Sequence, residues 1–374
     1  MRDGFKVIDT ERHVVEPVDL WSKRLSKEFA SRAPHFLEGS RVATEVDGKI
    51  MINGGEEIWR CLEPTSDFDR ARNSNFSADS QLVDMDQEGI DVGLLFPTAG
   101  LYVIWHDDLD PELSGAICKA YNDWLAEYCD VDSDRLRGVA MLPLQDVNLA
   151  LEEVERINSE YNFAGVFIRP NPLKKRQLYD ADYSPLWDKL SSCQLPVCIH
   201  SSPGSELPEL GVRDITGLEW PDGIQRFVGP FARSAISFPL EIMGSVISMA
   251  GEEPLERNPE LKVFFSSGGN GWLQFWIERM DDEWFHRGND AVTRLRPGHH
   301  VERQSLISGY SFENVWPFLA HEYLDCLSWG SGYPHPMLND FPNELDKMVS
   351  RDDLTSDQKR QILWDNPARV FGIE

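Results

Sequence analysis

The residues best suited to chemistry in this sequence are histidines and carboxylates that follow short apolar runs. Glu11 and His13 come after the run from Phe5 to Ile8, and His200 ends a run that starts at Val197. Side chains two residues apart on an extended chain point to the same side, so Glu11 and His13 can reach one metal ion. Two histidines and a carboxylate suit a divalent metal that keeps an open coordination position. This pattern predicts a metal site made by Glu11, His13 and His200.

Four residues at the ends of other apolar runs are candidates for substrate binding. Arg169 could hold a substrate carboxylate through two parallel hydrogen bonds, which also makes it a catalytic candidate, although a structural ion pair explains it equally well. Ser267 and Asn270 lie in a glycine-rich stretch and could contact substrate oxygens. Trp272 is expected to pack the helix that follows or to form an aromatic wall of the pocket.

Apolar runs alternate with stretches of helical periodicity along most of the chain. Runs that are apolar throughout are typical of parallel strands covered on both faces. Eight such strands favour a closed α/β barrel over an open sheet, and in a barrel the carboxyl ends of all strands meet at one face. We therefore predict a (β/α)8 TIM barrel in one domain, residues 1–374. The predicted strands are Phe5–Ile8, Ile90–Phe96, Val139–Leu144, Gly165–Arg169, Val197–His200, Leu261–Phe265, Ser305–Ser308 and Cys326–Trp329.

Two insertions interrupt this alternation. Residues 39–62 after the first strand predict a β-hairpin around the turn signal Asp47-Gly48. Residues 201–259 after the fifth strand contain a proline- and glycine-rich loop and an apolar helix, Ala232–Ala250, that either packs over the barrel or forms a dimer surface. The polar stretch Asp67–Ser80 predicts a loop. The predicted helices between the strands include Pro111–Tyr128, Asn148–Ser159, Ser184–Ser192 and Trp272–Phe285.

The composition of the chain excludes several classes of partner. With 36 basic and 63 acidic residues the net charge is −27, which disfavours binding to nucleic acid or to an anionic membrane. The six cysteines form no CxxC pair and predict free thiols in a reducing compartment. The N-terminal residues have no apolar signal segment, so we expect a cytoplasmic protein. The apolar fraction of 41% is typical of a globular enzyme-sized body.

Several segments resemble those of the amidohydrolase-2 group of the amidohydrolase superfamily. That group includes aminocarboxymuconate-semialdehyde decarboxylase and the aromatic decarboxylases of resorcylate and carboxyvanillate. The resemblance covers nearly the whole chain and implies a distorted (β/α)8 barrel. The segments that carry it are Ile8–Trp21, Met85–Thr98, Ala120–Tyr128, Gly138–Asp146, Gly165–Pro172, Pro196–His200, Gly271–Met280 and Trp329–Pro336.

The resemblance implies that Glu11, His13 and His200 bind a divalent metal, zinc or manganese, together with an aspartate in a final motif Gly-Ser-Asp-Tyr-Pro-His. Here that motif reads Gly-Ser-Gly-Tyr-Pro-His, with Gly332 in place of the aspartate. Many members also have a histidine or glutamate after the sixth strand, where this chain has Ser266-Ser267. Glycine can neither bind a metal nor move a proton, so we expect the metal to be bound weakly or not at all.

Three functions remain open at this point. The first is a decarboxylase-like lyase for a small aromatic or conjugated carboxylic acid, in which Glu11, His13 and His200 keep a metal or act directly. In this reading His335, His200 or another group moves the proton. The second is a metal-dependent hydrolase of a C–N or C–O bond, in which Asp340 or His335 replaces the aspartate. The third is a catalytically silent barrel that binds a ligand or a partner subunit. The resemblance also suggests a homo-oligomer, most simply a dimer.

Overall fold

A barrel of parallel strands forms the centre of the computed structural model. The structure describes residues 1–37, 43–52, 61–62, 67–104, 106–174, 176–201, 230–335 and 339–374. Within them, eight parallel strands are hydrogen-bonded in the order in which they follow along the chain. These strands are β1 (Ile8–His13), β5 (Val92–Phe96), β6 (Leu136–Met141), β7 (Gly165–Ile168), β8 (Val197–His200), β9 (Val263–Ser266), β10 (Ser305–Gly309) and β11 (Leu327–Trp329). The prediction of a TIM barrel is confirmed.

The last strand meets the first and brings the sheet nearly to closure. Thr10 Oγ1 donates to the carbonyl oxygen of Trp329 at 2.8 Å, and the Gly332 amide donates to that of Glu11 at 2.8 Å. All residues of β5, β7, β8 and β9 are buried, as expected for parallel strands between a barrel interior and an outer helical layer. Aromatic side chains fill the interior, where the ring centroids of Phe96 and Phe264 are 6.1 Å apart.

A small antiparallel sheet follows β1, and its hairpin confirms the predicted turn. Its strands are β2 (His35–Phe36), β3 (Ala43–Val46) and β4 (Lys49–Ile52). Asp47 and Gly48 have φ angles of 53° and 73°, the left-handed conformation that both central residues of a type I′ turn require. Residues 39–42 and 53–60 of the predicted insertion lie outside the described residues.

Helices cover the barrel and connect its strands. The start of the long helix α5 (Pro111–Cys129) was predictable because Asp110 and Pro111 are typical of a helix N-terminus. The Asp110 carboxylate accepts the Leu113 amide at 3.0 Å. The helices are α1 (Leu20–Arg24), α2 (Asp69–Asn73), α3 (Ala78–Glu88), α4 (Gly100–Val103), α5 (Pro111–Cys129), α6 (Val147–Glu160), α7 (Ser184–Ser192), α8 (Pro230–Val246), α9 (Glu253–Arg257), α10 (Leu273–Arg287), α11 (Pro297–Gln304), α12 (Trp316–Glu322), α13 (Glu344–Val349), α14 (Ser356–Arg360) and α15 (Asn366–Phe371). None of the helices in these ranges combines the length and the apolar character needed to cross a membrane.

Two of the predicted elements are wrong. The first strand is not Phe5–Ile8 but Ile8–His13, because the polar residues that hid it from the sequence pattern are buried in hydrogen bonds and ion pairs. The stretch Asp67–Ser80 is not a loop, since it contains α2 and the start of α3. Ser77 caps α3 by accepting the Ser80 amide at 3.4 Å.

The predicted apolar helix of the second insertion corresponds to α8 and a π-helical turn, Ile247–Gly251. It packs over the barrel, as one of the two predictions stated: a Cβ atom on Gly268, just after β9, would lie 2.7 Å from Ile242 Cγ1. The Trp276 indole also donates to the Met243 carbonyl oxygen at 2.8 Å. Residues 202–229 of this insertion lie outside the described residues.

Candidate metal centre

Three side chains predicted as metal ligands meet inside the barrel mouth. Glu11 and His13 come from β1 and His200 from the end of β8, and each offers one ligand atom within 4.8 Å of the others. His200 Nε2 lies 3.8 Å from Glu11 Oε1, and the two imidazole centroids are 5.1 Å apart. All three side chains are buried, at 3% exposure or less.

Backbone carbonyl groups orient both imidazoles. The carbonyl oxygen of Pro97 lies 2.8 Å from His13 Nδ1, and that of Ser201 lies 2.5 Å from His200 Nδ1. Each Nδ1 therefore carries the proton and donates it, and each Nε2 keeps a lone pair, as second-shell contacts do in metalloproteins. Among the described residues, His200 Nε2 is buried without a hydrogen-bond partner. A buried polar atom of this kind needs a partner, and a divalent cation between the three side chains would supply it.

The electrostatics of the three side chains follow from their burial. Burial lowers the pKa of His200 to about 3 and that of His13 well below its usual value, and the nearby imidazole of His335 adds to both effects. Burial raises the pKa of Glu11 to about 7, against the hydrogen bonds that it accepts. Both histidines are therefore neutral, which is the form that binds metals.

Donors from β9 and β10 surround the Glu11 carboxylate. Oε2 accepts the Ser266 hydroxyl at 2.9 Å and the Ser267 amide at 3.1 Å. Oε1 accepts the Tyr310 hydroxyl at 3.3 Å. Ser267 was predicted to bind substrate, but the structure places it against Glu11. Tyr310 was not predicted. It could have been, because it directly follows β10, and residues at the carboxyl ends of barrel strands often belong to the functional site.

The loop after β11 lies directly against β1. Ser331 donates to the Asp9 carboxylate from its amide at 2.8 Å and from its hydroxyl at 2.5 Å. The His13 amide donates to the Tyr333 carbonyl oxygen at 2.7 Å. Between them, Gly332 has a φ of 68°, in the left-handed region that favours glycine. The backbone at position 332 is therefore fixed beside Glu11, where the chain has no side chain to offer.

The ring of Tyr333 anchors this loop in a buried charge network. The Arg12 guanidinium lies 4.0 Å from the centre of the ring, and the Tyr333 hydroxyl donates to the Asp84 carboxylate. Arg12 in turn pairs with Asp9 at 3.1 Å and with Glu88 at 3.0 Å, and Arg12, Asp9 and Glu88 are all fully buried. The loop thus rests on ion pairs that connect β1 to α3.

His335 lies next to the three candidate ligands. Its ring centroid is 4.5 Å from that of His13. Thr98 Oγ1 donates to the Val14 carbonyl oxygen at 2.7 Å, so it accepts from His335 Nε2, 3.4 Å away. His335 is buried and is placed where a proton could be exchanged at the barrel mouth.

The other predicted site residues make contacts with partners outside the group of Glu11, His13 and His200. Arg169 is buried and donates to Asp107 at 2.6 Å, which is the ion pair that was the alternative to a substrate clamp. Asn270 packs against Gly309, since a Cβ atom there would lie 2.1 Å from Asn270 Nδ2. The Trp272 indole donates to the Gly269 carbonyl oxygen at 2.8 Å. Asp340 pairs with Lys347 at 3.0 Å.

A model of the amidohydrolase family matches residues 8–373 of the chain. A gamma-resorcylate decarboxylase of Polaromonas is 28% identical over 62% of this chain, and the match covers 65% of that protein. A 2-amino-3-carboxymuconate-6-semialdehyde decarboxylase of Dictyostelium discoideum is 22% identical over 96% of this chain and 92% of that protein. The chain thus aligns with slightly less than two thirds of the resorcylate decarboxylase.

Solved structures share the fold over almost the whole chain. An amidohydrolase of Mycobacterium avium subsp. paratuberculosis superposes with a TM-score of 0.79 at 21% identity and covers 99% of this chain and 100% of its own. A dihydroxybenzoic acid decarboxylase of Polaromonas, with bound manganese and the inhibitor 2-nitroresorcinol, superposes with a TM-score of 0.67 at 18% identity. It covers 98% of this chain and 97% of its own. At these identities the likeness establishes the barrel fold.

Proposed function

The chain belongs to the amidohydrolase family, and from this premise we propose that it is a metal-dependent lyase that decarboxylates a small aromatic carboxylic acid. The observation that carries the proposal is the group of three buried side chains, Glu11, His13 and His200, with His200 Nε2 lacking any partner among the described residues. The two relatives named above are decarboxylases, and the solved dihydroxybenzoic acid decarboxylase of Polaromonas holds manganese. Manganese is therefore the cation that we assign first, with zinc as the alternative.

Glu11, His13 and His200 would hold the ion through Oε1 and the two Nε2 atoms. When bound, a divalent ion polarises the oxygen atoms of a ligand and offsets their negative charge. The residues fit this role because both imidazoles are neutral and are oriented by the carbonyl groups of Pro97 and Ser201.

Decarboxylation also requires one proton. The bond between the ring carbon and the carboxyl group breaks, carbon dioxide leaves, and the electron pair that stays on the ring carbon takes up the proton. Gly332 cannot deliver it. We assign this role to His335, whose imidazole lies 4.5 Å from that of His13 and is oriented by Thr98.

Arg169 is better explained as part of the scaffold than as a substrate clamp. Its guanidinium is 4% exposed and already donates to Asp107 and to the Asn171 carbonyl oxygen. Taking up a substrate carboxylate would require Arg169 to give up these contacts, one of which is the ion pair with the half-exposed Asp107. The substrate carboxylate is therefore expected to depend on the metal and not on Arg169.

Gly332 favours a second candidate function, a silent barrel that binds a ligand without converting it. The loop that carries Gly332 is fully anchored but presents no acid at the position beside Glu11. In the hydrolase alternative, Asp340 would have to leave its ion pair with Lys347. Both side chains of that pair are exposed, so the pair is weak, and His335 is the other residue that could replace the aspartate.

Metal content and product analysis test the proposal. We expect about one manganese ion per chain after purification from manganese-supplemented medium, and its loss in the His200→Ala variant. His321→Ala is the matched control, because its side chain is 83% exposed and should not affect the metal content. The metal-loaded protein should release labelled carbon dioxide from at least one member of a panel of hydroxybenzoic acids.

Absence of metal from the wild-type protein would contradict the proposal. Bound metal without carbon dioxide release would favour the silent barrel. Incorporation of oxygen-18 from water into a product would favour the hydrolase.

A further inference from the structure

The two oxygen atoms of the Glu11 carboxylate have different surroundings. Oε2 accepts two hydrogen bonds from β9 and its following turn, from Ser266 Oγ at 2.9 Å and from Ser267 N at 3.1 Å. Oε1 faces the centre of the site, 3.8 Å from His200 Nε2. Because Oε2 is already occupied by two donors, Oε1 is the oxygen that remains for a cation.

Tyr310 reaches the same carboxylate from β10. Its hydroxyl donates to Glu11 Oε1 at 3.3 Å and lies 3.5 Å from Ser267 Oγ. The residue itself is held in place: its amide donates to Glu313 at 2.8 Å, and the Trp316 indole donates to its carbonyl oxygen at 2.9 Å. The phenol is therefore a fixed hydrogen-bond donor to Glu11.

The backbone of Ser267, which donates to Glu11, has a strained conformation. Its φ angle is 63°, a conformation that residues with a side chain rarely adopt. This conformation accompanies the hydrogen bond from the Ser267 amide to Glu11 Oε2. Strained backbone of this kind persists where surrounding contacts over-determine it, often at functional sites.

We propose that three hydrogen-bond donors, the hydroxyls of Ser266 and Tyr310 and the backbone amide of Ser267, form a cage of positioning residues that fixes Glu11 as a one-oxygen ligand of a divalent cation. The inference rests on the proposed function, since it requires that the site binds a metal. These donors hold the carboxylate in one orientation in a site that has Gly332 where a further carboxylate ligand would stand. Ser266 and Ser267 therefore contribute through Glu11 and not by touching the substrate.

Metal affinity and a spectroscopic signature test the cage. The variants are Ser266→Ala and Tyr310→Phe, each of which removes one oxygen atom, with Ser266→Thr as the variant that keeps the hydroxyl. Tyr121→Phe is the matched control, because the Tyr121 hydroxyl is buried without a hydrogen-bond partner among the described residues. Manganese affinity is measured by competition with a chromophoric chelator, and the cobalt-substituted proteins are compared by their visible spectra.

We expect Ser266→Ala and Tyr310→Phe each to lower manganese affinity about tenfold, the lower end of the range for such outer contacts, and to shift the cobalt spectrum. Ser266→Thr should restore most of the affinity, and Tyr121→Phe should stay within about twofold of the wild type. Thermal unfolding of the metal-free proteins separates these changes from loss of the fold.

Unchanged affinity and spectrum in both oxygen-deletion variants, with normal binding by the wild type, would overturn the cage and leave the proposed function intact. If Ser266→Ala fails to fold, Tyr310→Phe decides alone. A wild-type protein that binds neither manganese nor cobalt would overturn the cage and the proposed function together.

Discussion

Hydrogen bonds hold both sides of the candidate metal centre in place, but only one side presents side chains that can bind a metal. On the ligand side, β1 and β8 present Glu11, His13 and His200, each oriented by a hydrogen bond. On the loop side, the segment after β11 is anchored to β1 through Ser331, yet Gly332 presents only backbone. A position can thus keep the scaffold that a functional side chain needs while lacking the side chain itself.

This difference separates stability from metal binding. Contacts on the loop side involve buried ion pairs and hydrogen bonds that hold the barrel together but offer no metal ligand. On the ligand side, a few hydrogen bonds orient the side chains of Glu11, His13 and His200. Variants on the loop side should therefore change the free energy of unfolding, whereas variants on the ligand side should change metal affinity.

The largest expected effect is on the buried ion pairs beneath the loop, which Arg12 of β1 makes with Asp9 and Glu88. Arg12→Met keeps most of the side-chain volume but leaves Asp9 and Glu88 buried without their cation. Removing one partner of a buried ion pair costs about 3–5 kcal/mol, and we expect this loss in the free energy of unfolding measured with urea. Arg360→Ala is the control, since that side chain is 57% exposed in its ion pairs and should change the free energy of unfolding far less. A similar small cost for both variants would show that the buried network does not hold the loop.

A smaller effect is expected when only the loop anchor is shortened. Tyr333→Phe removes the hydroxyl that donates to the buried Asp84 carboxylate. A hydrogen bond to a charged group contributes about 1.5–3 kcal/mol, so the free energy of unfolding should fall by that amount. Metal affinity should stay within about twofold, because this side of the site supplies no ligand.

Tyr121→Phe again serves as the control, with no partner lost among the described residues. A large loss of metal affinity in Tyr333→Phe would contradict the separation of the two sides.

The smallest effect is expected when a metal ligand is added on the loop side. Gly332→Asp places a carboxylate on a backbone that is already fixed next to β1. We expect manganese affinity to rise about tenfold, which corresponds to about 1.4 kcal/mol. The left-handed φ of 68° should cost about 1–2 kcal/mol in the free energy of unfolding of the metal-free protein.

Gly332→Ala is the matched control, because it carries the same backbone cost without a ligand. If Gly332→Asp and Gly332→Ala bind manganese equally, the loop does not aim position 332 at the metal.

The barrel could be predicted from the sequence because the patterns that indicate its strands and helices are local. Apolar runs such as Val197–His200 and helix starts such as Asp110-Pro111 depend on neighbours within a few residues. The convergence of Glu11, His13 and His200 could be predicted as well, since side chains at the carboxyl ends of barrel strands meet at one face.

The remainder of the site could not be read from local patterns. The contacts between Tyr310 and Glu11 and between Ser331 and Asp9 join residues about 300 positions apart. Contacts of this kind explain why the predicted bounds of β1 were wrong, because buried partners make a polar segment such as Asp9–Arg12 stable inside the sheet. Ser267 was predicted to bind substrate. Its contact with Glu11 could not be predicted, because it depends on the closed barrel.

Anomalous diffraction from crystals grown with manganese tests the central claim most directly. The account predicts one strong peak between Glu11 Oε1, His13 Nε2 and His200 Nε2, with no protein ligand from the loop that carries Gly332. A peak absent from this position, or coordinated by both oxygen atoms of Glu11 after loss of the Ser266 and Ser267 hydrogen bonds, would contradict it.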